Sequence, residues 1–140
     1  MAEETINITD EINYMRSLIE STENQISSLE RLLSDMGTTL SVVSSRDLFE
    51  SEDKKINIGS GIYIDAVIKK PDRFLVPIGS DVYAEFGGED VEKRLKDNMK
   101  QITDTLDTLY LRRKELSSRY DSLIMLLQRA SQQPEKGKDV

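Results

Sequence analysis

The chain contains no cysteine, no histidine and no tryptophan, and it has three prolines and only 6% aromatic residues among 140. Each shortage excludes something. Without cysteine there is neither a disulfide nor a thiolate metal centre. Without histidine the commonest general base and metal ligand are missing, and no metal or cofactor is expected. Few aromatics beside a charged fraction of 32% leave little to fill a thick core; they suit long helices that bury one stripe. No run approaches the roughly 18 consecutive apolar residues of a membrane span. The opening "MAEETINITDEI" is acidic and polar, unlike a secretory leader, so the expected location is cytoplasmic. A net charge of −7 argues against nucleic acid or an anionic membrane as partner. The basic clusters Lys69-Lys70 and Arg112-Arg113-Lys114 are short and read as solvated faces.

What is present is a heptad. Ile12, Ile19, Ile26, Leu33 and Leu40 stand seven apart, each followed three places later by Met15, Thr22, Leu29, Met36 and Val43. A helix of 3.6 residues per turn drifts off a strict seven, so a series that holds to seven implies a left-handed coiled coil. Thr9 or Asp10 is the expected cap. Gly37 is the weak point, and the β-branched "TTLSVVSSRD" predicts fraying near Ser44. The pattern returns over 89–130. Leu95, Ile102, Leu109, Leu116, Leu123 and Ala130 are seven apart, and Met99, Leu106, Arg113, Tyr120 and Leu127 follow the first five by four. "GGEDVEKRL" supplies a start with acids where the helix dipole favours them. "QQPEKGKDV" supplies a stop, and 132–140 is expected to be a disordered tail.

If the middle turns the chain back, the helices run antiparallel, with Val43 beside Glu92, Leu29 beside Leu106 and Ile12 beside Leu123. The two polar breaks, Thr22 and Arg113, then share one height, with Glu23 in reach of the guanidinium. Such a layer either fixes the register or is a coincidence.

The middle has no heptad but repeats itself: "IGSGIYID" at 58–65 and "IGSDVYAE" at 78–85. β-Branched and aromatic residues punctuated by Gly-Ser predict four strands, 56–59, 62–68, 73–78 and 82–86, paired as two hairpins and linked by Lys70-Pro71-Asp72. The plan is α+β: helix 1–45, hairpins 46–88, helix 89–131, tail. A phosphate loop needs its glycines between a strand and a helix. Here Gly59 and Gly61 precede another strand pattern, and no Gly-Lys-Ser/Thr occurs. Asp65 and Glu85 occupy matching places; a carboxylate pair is conceivable, and outward acids that discourage edge pairing are the simpler reading. Tyr63 and Tyr83 read as half-buried strand residues. An enzyme is not expected.

The stretch "LIMLL" at 123–127 is the anomaly. Only Leu123 and Leu127 belong to the seam, so Ile124, Met125 and Leu126 point elsewhere. The chain start opposite offers Ile6, Ile8, Ile12, Tyr14 and Met15. An apolar hairpin tip of this kind is an interaction surface, adaptable through Met, unless the extra residues pack in a larger bundle.

A long helix, two related hairpins and a second long helix, with "IGSGIYIDAVIK" and "VPIGSDVYAE", resemble the α class of prefoldin subunits over essentially the whole chain. That class typically shows Val-Pro-(Val/Ile)-Gly-x-Gly. Here Ile56-Asn57 stands where Val-Pro often opens the first hairpin, Pro77 lies in the second, and Asp81 replaces a common Gly. The resemblance implies an ATP-independent holdase of two α and four β-type subunits. Its hairpins join into an oligomeric β-barrel, and its coiled coils grip non-native proteins at their tips and pass them to a group II chaperonin. On this reading Ile8, Ile12, Met15, Ile124, Met125 and Leu126 contact the client. Ile58, Ile62, Ile64, Val76, Ile78 and Val82 carry assembly. The alternative is a structural protein whose β segments polymerise while the coiled coils act as spacers.

Overall fold

The structure, a computed structural model, describes residues 2–45, 49 and 53–132. Two long helices flank four strands: α1 (Ala2–Ser45), β1 (Lys54–Gly59), β2 (Ile62–Ala66), β3 (Phe74–Gly79), β4 (Val82–Phe86) and α2 (Gly88–Gln132). The chain divides into two compact units, one built from the start of α1 and the end of α2, the other from 32–102.

In the first unit the helices are antiparallel, because Glu11 meets Arg119 while Glu30 meets Tyr110. The seam follows the heptad. Ile12, Met15 and Leu123 form a buried cluster ringed by Ile8, Leu18, Leu116, Tyr120, Ile124 and Leu127, and Ile26 and Leu106 are buried as well. Thr22, the polar break, is 3% exposed. Its hydroxyl donates to the Leu18 carbonyl of its own helix at 2.7 Å, so it needs no partner across the seam. Arg113 places its guanidinium 5.4 Å from the centroid of the Tyr110 ring. Among the described residues the ion pairs are Lys55–Asp65 and Arg119–Glu11; the reach of Glu23 to Arg113 is not used.

α1 starts at Ala2, more than a turn before the expected cap. Thr9 and Asp10 therefore lie inside it, and Glu3 and Glu4 supply the acidic first turn. The expected fraying is also absent. Thr38 and Thr39 return their hydroxyls to the carbonyls of Ser34 and Asp35, and the helix runs to Ser45. Gly37 stays helical, and a methyl group there would sit 3.8 Å from Met99 Cε, an ordinary contact.

In the second unit each hairpin is a separate two-stranded antiparallel sheet. β1 starts two residues earlier than expected, β2 stops at Ala66, and β3 runs from Phe74 to Gly79. The registers match through the repeat: Ile56↔Ile64 and Asn57↔Tyr63 in one, Val76↔Ala84 and Pro77↔Tyr83 in the other. Both ladders shift just before the turn, where Gly59 and Gly79 hold φ of 117° and 120°. Such a bulge strengthens the local twist. The turn residues Ser60-Gly61 and Ser80-Asp81 all have positive φ, as a two-residue hairpin turn of the primed kind requires. The expected tail begins one residue late, since Gln132 closes α2, and 133–140 lie outside the described residues.

Candidate functional site: uncovered apolar surfaces

Strand alternation sorts each hairpin into two faces. In the first, Ile56, Ile62, Ile64 and Ala66 share one side, and Lys55, Asn57, Tyr63 and Asp65 share the other. In the second, Phe74, Val76, Val82, Ala84 and Phe86 share one side, and Leu75, Pro77, Tyr83 and Glu85 the other. The isoleucine side of the first hairpin is exposed throughout, and Ile58 in its bulge is 60% exposed. In the second, Ile78 and Val82 are exposed and Val76 is half-buried. Tyr63 and Tyr83 are more than half exposed. This corrects the half-buried reading, because no second layer lies over that face within the chain. Asp65 points outward and pairs with Lys55 across the strands.

A free two-stranded sheet with an uncovered apolar face is marginal in water. The second hairpin is held at its base. Phe74 meets Phe49 edge-on at 6.4 Å and lies 3.7 Å from where a Cβ on Gly88 would be. Arg94 of α2 lies 4.5 Å over the Phe86 ring, a cation–π contact. Val91, buried at the start of α2, donates its amide to Gly87. Val91 escaped the sequence reading because it falls before the heptad; an apolar residue one turn inside a Gly-Gly start was the available signal.

In the first unit, α1 begins where α2 ends. Ile12 (4% exposed) and Met15 (7%) lie in the seam against Leu123, and Ile8 and Ile124 are half-buried against that cluster. Met125 and Leu126 are exposed, and with Ser122 and Arg129 they line a shallow depression of about 290 Å³. Ile6 and Tyr14 are about as exposed as Met125. So the expected contact residues separate into a buried pair, Ile12 and Met15, a half-buried pair and an open pair. Ile6 and Tyr14 join the open set. The heptad carried the signal, since Ile12 and Met15 hold seam positions whereas Ile6 and Tyr14 fall off them.

Nearby polar contacts tie the helices together. Arg16 donates to the Tyr120 hydroxyl at 3.2 Å, which holds its guanidinium pKa above the ordinary value. The Tyr110 hydroxyl donates to Glu30 at 2.6 Å, and this hydrogen bond raises the phenol above its usual range. No group of His, Cys, Asp and Glu among the described residues is arranged to hold a metal ion. No helix among them is long and apolar enough to cross a membrane.

Fold and surfaces together define a class: a helical coiled-coil protein that carries a pair of β-hairpins with uncovered apolar faces. Residues 8–133 match the family described as Prefoldin subunit. The chain is 43% identical over 99 residues to the prefoldin subunit alpha of Picrophilus torridus, covering 71% of this chain and 70% of that one. It is 34% identical over 113 residues to the prefoldin subunit alpha of Thermoplasma acidophilum, covering 81% and 87%. A solved structure described as filamentous PFD from Methanocaldococcus jannaschii superposes with a TM-score of 0.67 at 21% identity, over 84% of this chain and 98% of that one, and so shares the fold. The chain belongs to the prefoldin family.

Proposed function

We propose that this chain is the α-type subunit of an ATP-independent holdase. It acts in the cytoplasm, with two such subunits joining four β-type subunits. The hairpins close into a barrel with partner strands, which cover Ile58, Ile62, Ile64, Val76, Ile78 and Val82. Non-native proteins are held where α1 begins and α2 ends, and are passed to a group II chaperonin. Family membership supports a chaperone-cofactor subunit. The observation that carries the finer reading is the exposure of Met125 and Leu126 outside a seam already filled by Ile12, Met15 and Leu123. Ile124, Met125 and Leu126, joined by Ile6 and Tyr14, form the contact surface, and Ile8, Ile12 and Met15 support it from below. Each contact is weak, and several subunits acting together supply the affinity.

The test is light scattering of a chemically denatured protein diluted into the chain assembled with a β-type subunit. Suppression without ATP is expected. An Ile124→Ser/Met125→Ser/Leu126→Ser variant should assemble normally and lose most of that suppression. Long particles that leave the client to precipitate would replace this reading with the spacer one. Loss of assembly in the variant would make these residues packing rather than contact surface.

A further inference from the structure

The two hairpins superimpose residue for residue in register, yet their outer edges differ at one backbone atom. In the second hairpin Gly79 pairs with Val82 to close the turn. β4 contains no bulge, so its backbone groups alternate regularly: Val82, Ala84 and Phe86 face β3, and Tyr83 and Glu85 face away. Their partners on β3 alternate with them. Pro77, opposite Tyr83, therefore faces the open edge, the place in a sheet where a residue without an N–H is tolerated. The outward donors of β3 are thus reduced from Leu75 and residue 77 to Leu75 alone.

The first hairpin has the same register, with Asn57 opposite Tyr63 and Lys55 opposite Asp65. Both Lys55 and Asn57 keep an outward N–H. The Asn57 side chain is occupied inside its own turn, accepting the Gly59 amide at 2.7 Å. Its backbone donor is left clear of its own side chain. Of the two first strands, β1 presents an uninterrupted row of donors and acceptors, and β3 presents a row with a gap and a ring in it.

We propose that the β1 edge is where this chain receives a partner strand and that Pro77 closes the β3 edge to the same use. This rests on the assembly reading above and sharpens it. The occupant is an extended strand from another subunit of the family, apolar at alternate positions, so that it continues the side formed by Ile56, Ile62 and Ile64. On β3 the same strand would leave one carbonyl without a donor and meet the pyrrolidine ring, which disfavours both β3-to-partner and β3-to-β3 pairing.

The experiment uses the full chain with a co-expressed β-type subunit, read by native mass spectrometry and by hydrogen exchange at single residues. Assembly of the natural chain should slow exchange at the Lys55 and Asn57 amides by about tenfold or more and leave Leu75 unchanged, since an amide in a ladder exchanges only when the ladder opens. Asn57→Pro should weaken association by about tenfold or more, the scale of one lost ladder bond with its acceptor stranded. Asn57→Ala, which keeps the N–H, should associate like the natural chain, as should Pro77→Ala. New protection at Leu75 with none at Asn57, or an Asn57→Pro chain that assembles normally, would overturn the assignment while leaving the assembly reading intact. Failure of the natural chain to associate at all would overturn both.

Discussion

The two hairpins are one design built twice, and they differ in what holds them. Their bulges, their positive-φ turns and their pairing match position by position. The second is fastened to its surroundings by aromatic residues, Phe74 against Phe49 and Phe86 beneath Arg94. At the corresponding places the first has Lys54 and Ala66, and it carries the exposed Lys55–Asp65 pair on its other face. Exposed pairs contribute little. Local turn chemistry is thus enough to shape a hairpin, whereas large apolar side chains decide whether it has a fixed place before any partner arrives.

The largest effect expected from breaking this comparison comes from Phe86→Ala. Removing a half-buried ring and its cation–π partner should destabilise the second hairpin by about 2–3 kcal/mol, and its amides should exchange as fast as those of the first. Next come Gly59→Ala and Gly79→Ala. A Cβ at either glycine meets nothing within 4 Å, so the penalty is purely one of backbone, about 1–2 kcal/mol at positive φ, and it should be equal in the two hairpins by exchange. A smaller change sharpens the difference between the turns. Asp81, at φ 60°, does what Gly61 does at φ 73°. Asp81→Gly should stabilise the second hairpin by about 0.5 kcal/mol, and Gly61→Asp should weaken the first by a similar amount.

The smallest effect lies in the coiled coil. The hydrogen bond to Glu30 raises the Tyr110 pKa above its ordinary 10.0. A group whose folded pKa is raised stabilises fully below its unfolded value and loses that contribution as pH rises through the folded one. Ultraviolet titration should show Tyr110 ionising above pH 10. Its contribution should disappear on that alkaline side, and Tyr110→Phe should remove this part of the pH dependence.

Much of this was legible in advance. The heptad identified Ile12, Met15, Ile26, Leu106 and Leu123 as seam residues because a strict seven-residue repeat has only one way to be buried. The doubled "IGS" motif located both turns because few residues accept positive φ. Other features were not legible. The start of α1 was placed too late because Thr9 and Asp10 look like caps, although acids one turn earlier serve the same end. Val91 lies outside the repeat. Ile12 and Met15 were read both as seam and as contact surface, and a side chain filled by its own seam offers little to a client.

The sequence by itself determined the order of elements, the antiparallel sense of the coiled coil and the shape of each hairpin, because period, glycine placement and turn chemistry act over a few residues. Only the tertiary structure decided which apolar side chains stay exposed, how Thr22 and Arg113 satisfy themselves without each other, and which hairpin is fastened by Phe74 and Phe86. Those outcomes depend on neighbours far away in the chain, and burial is a property of what packs against a residue rather than of the residue itself.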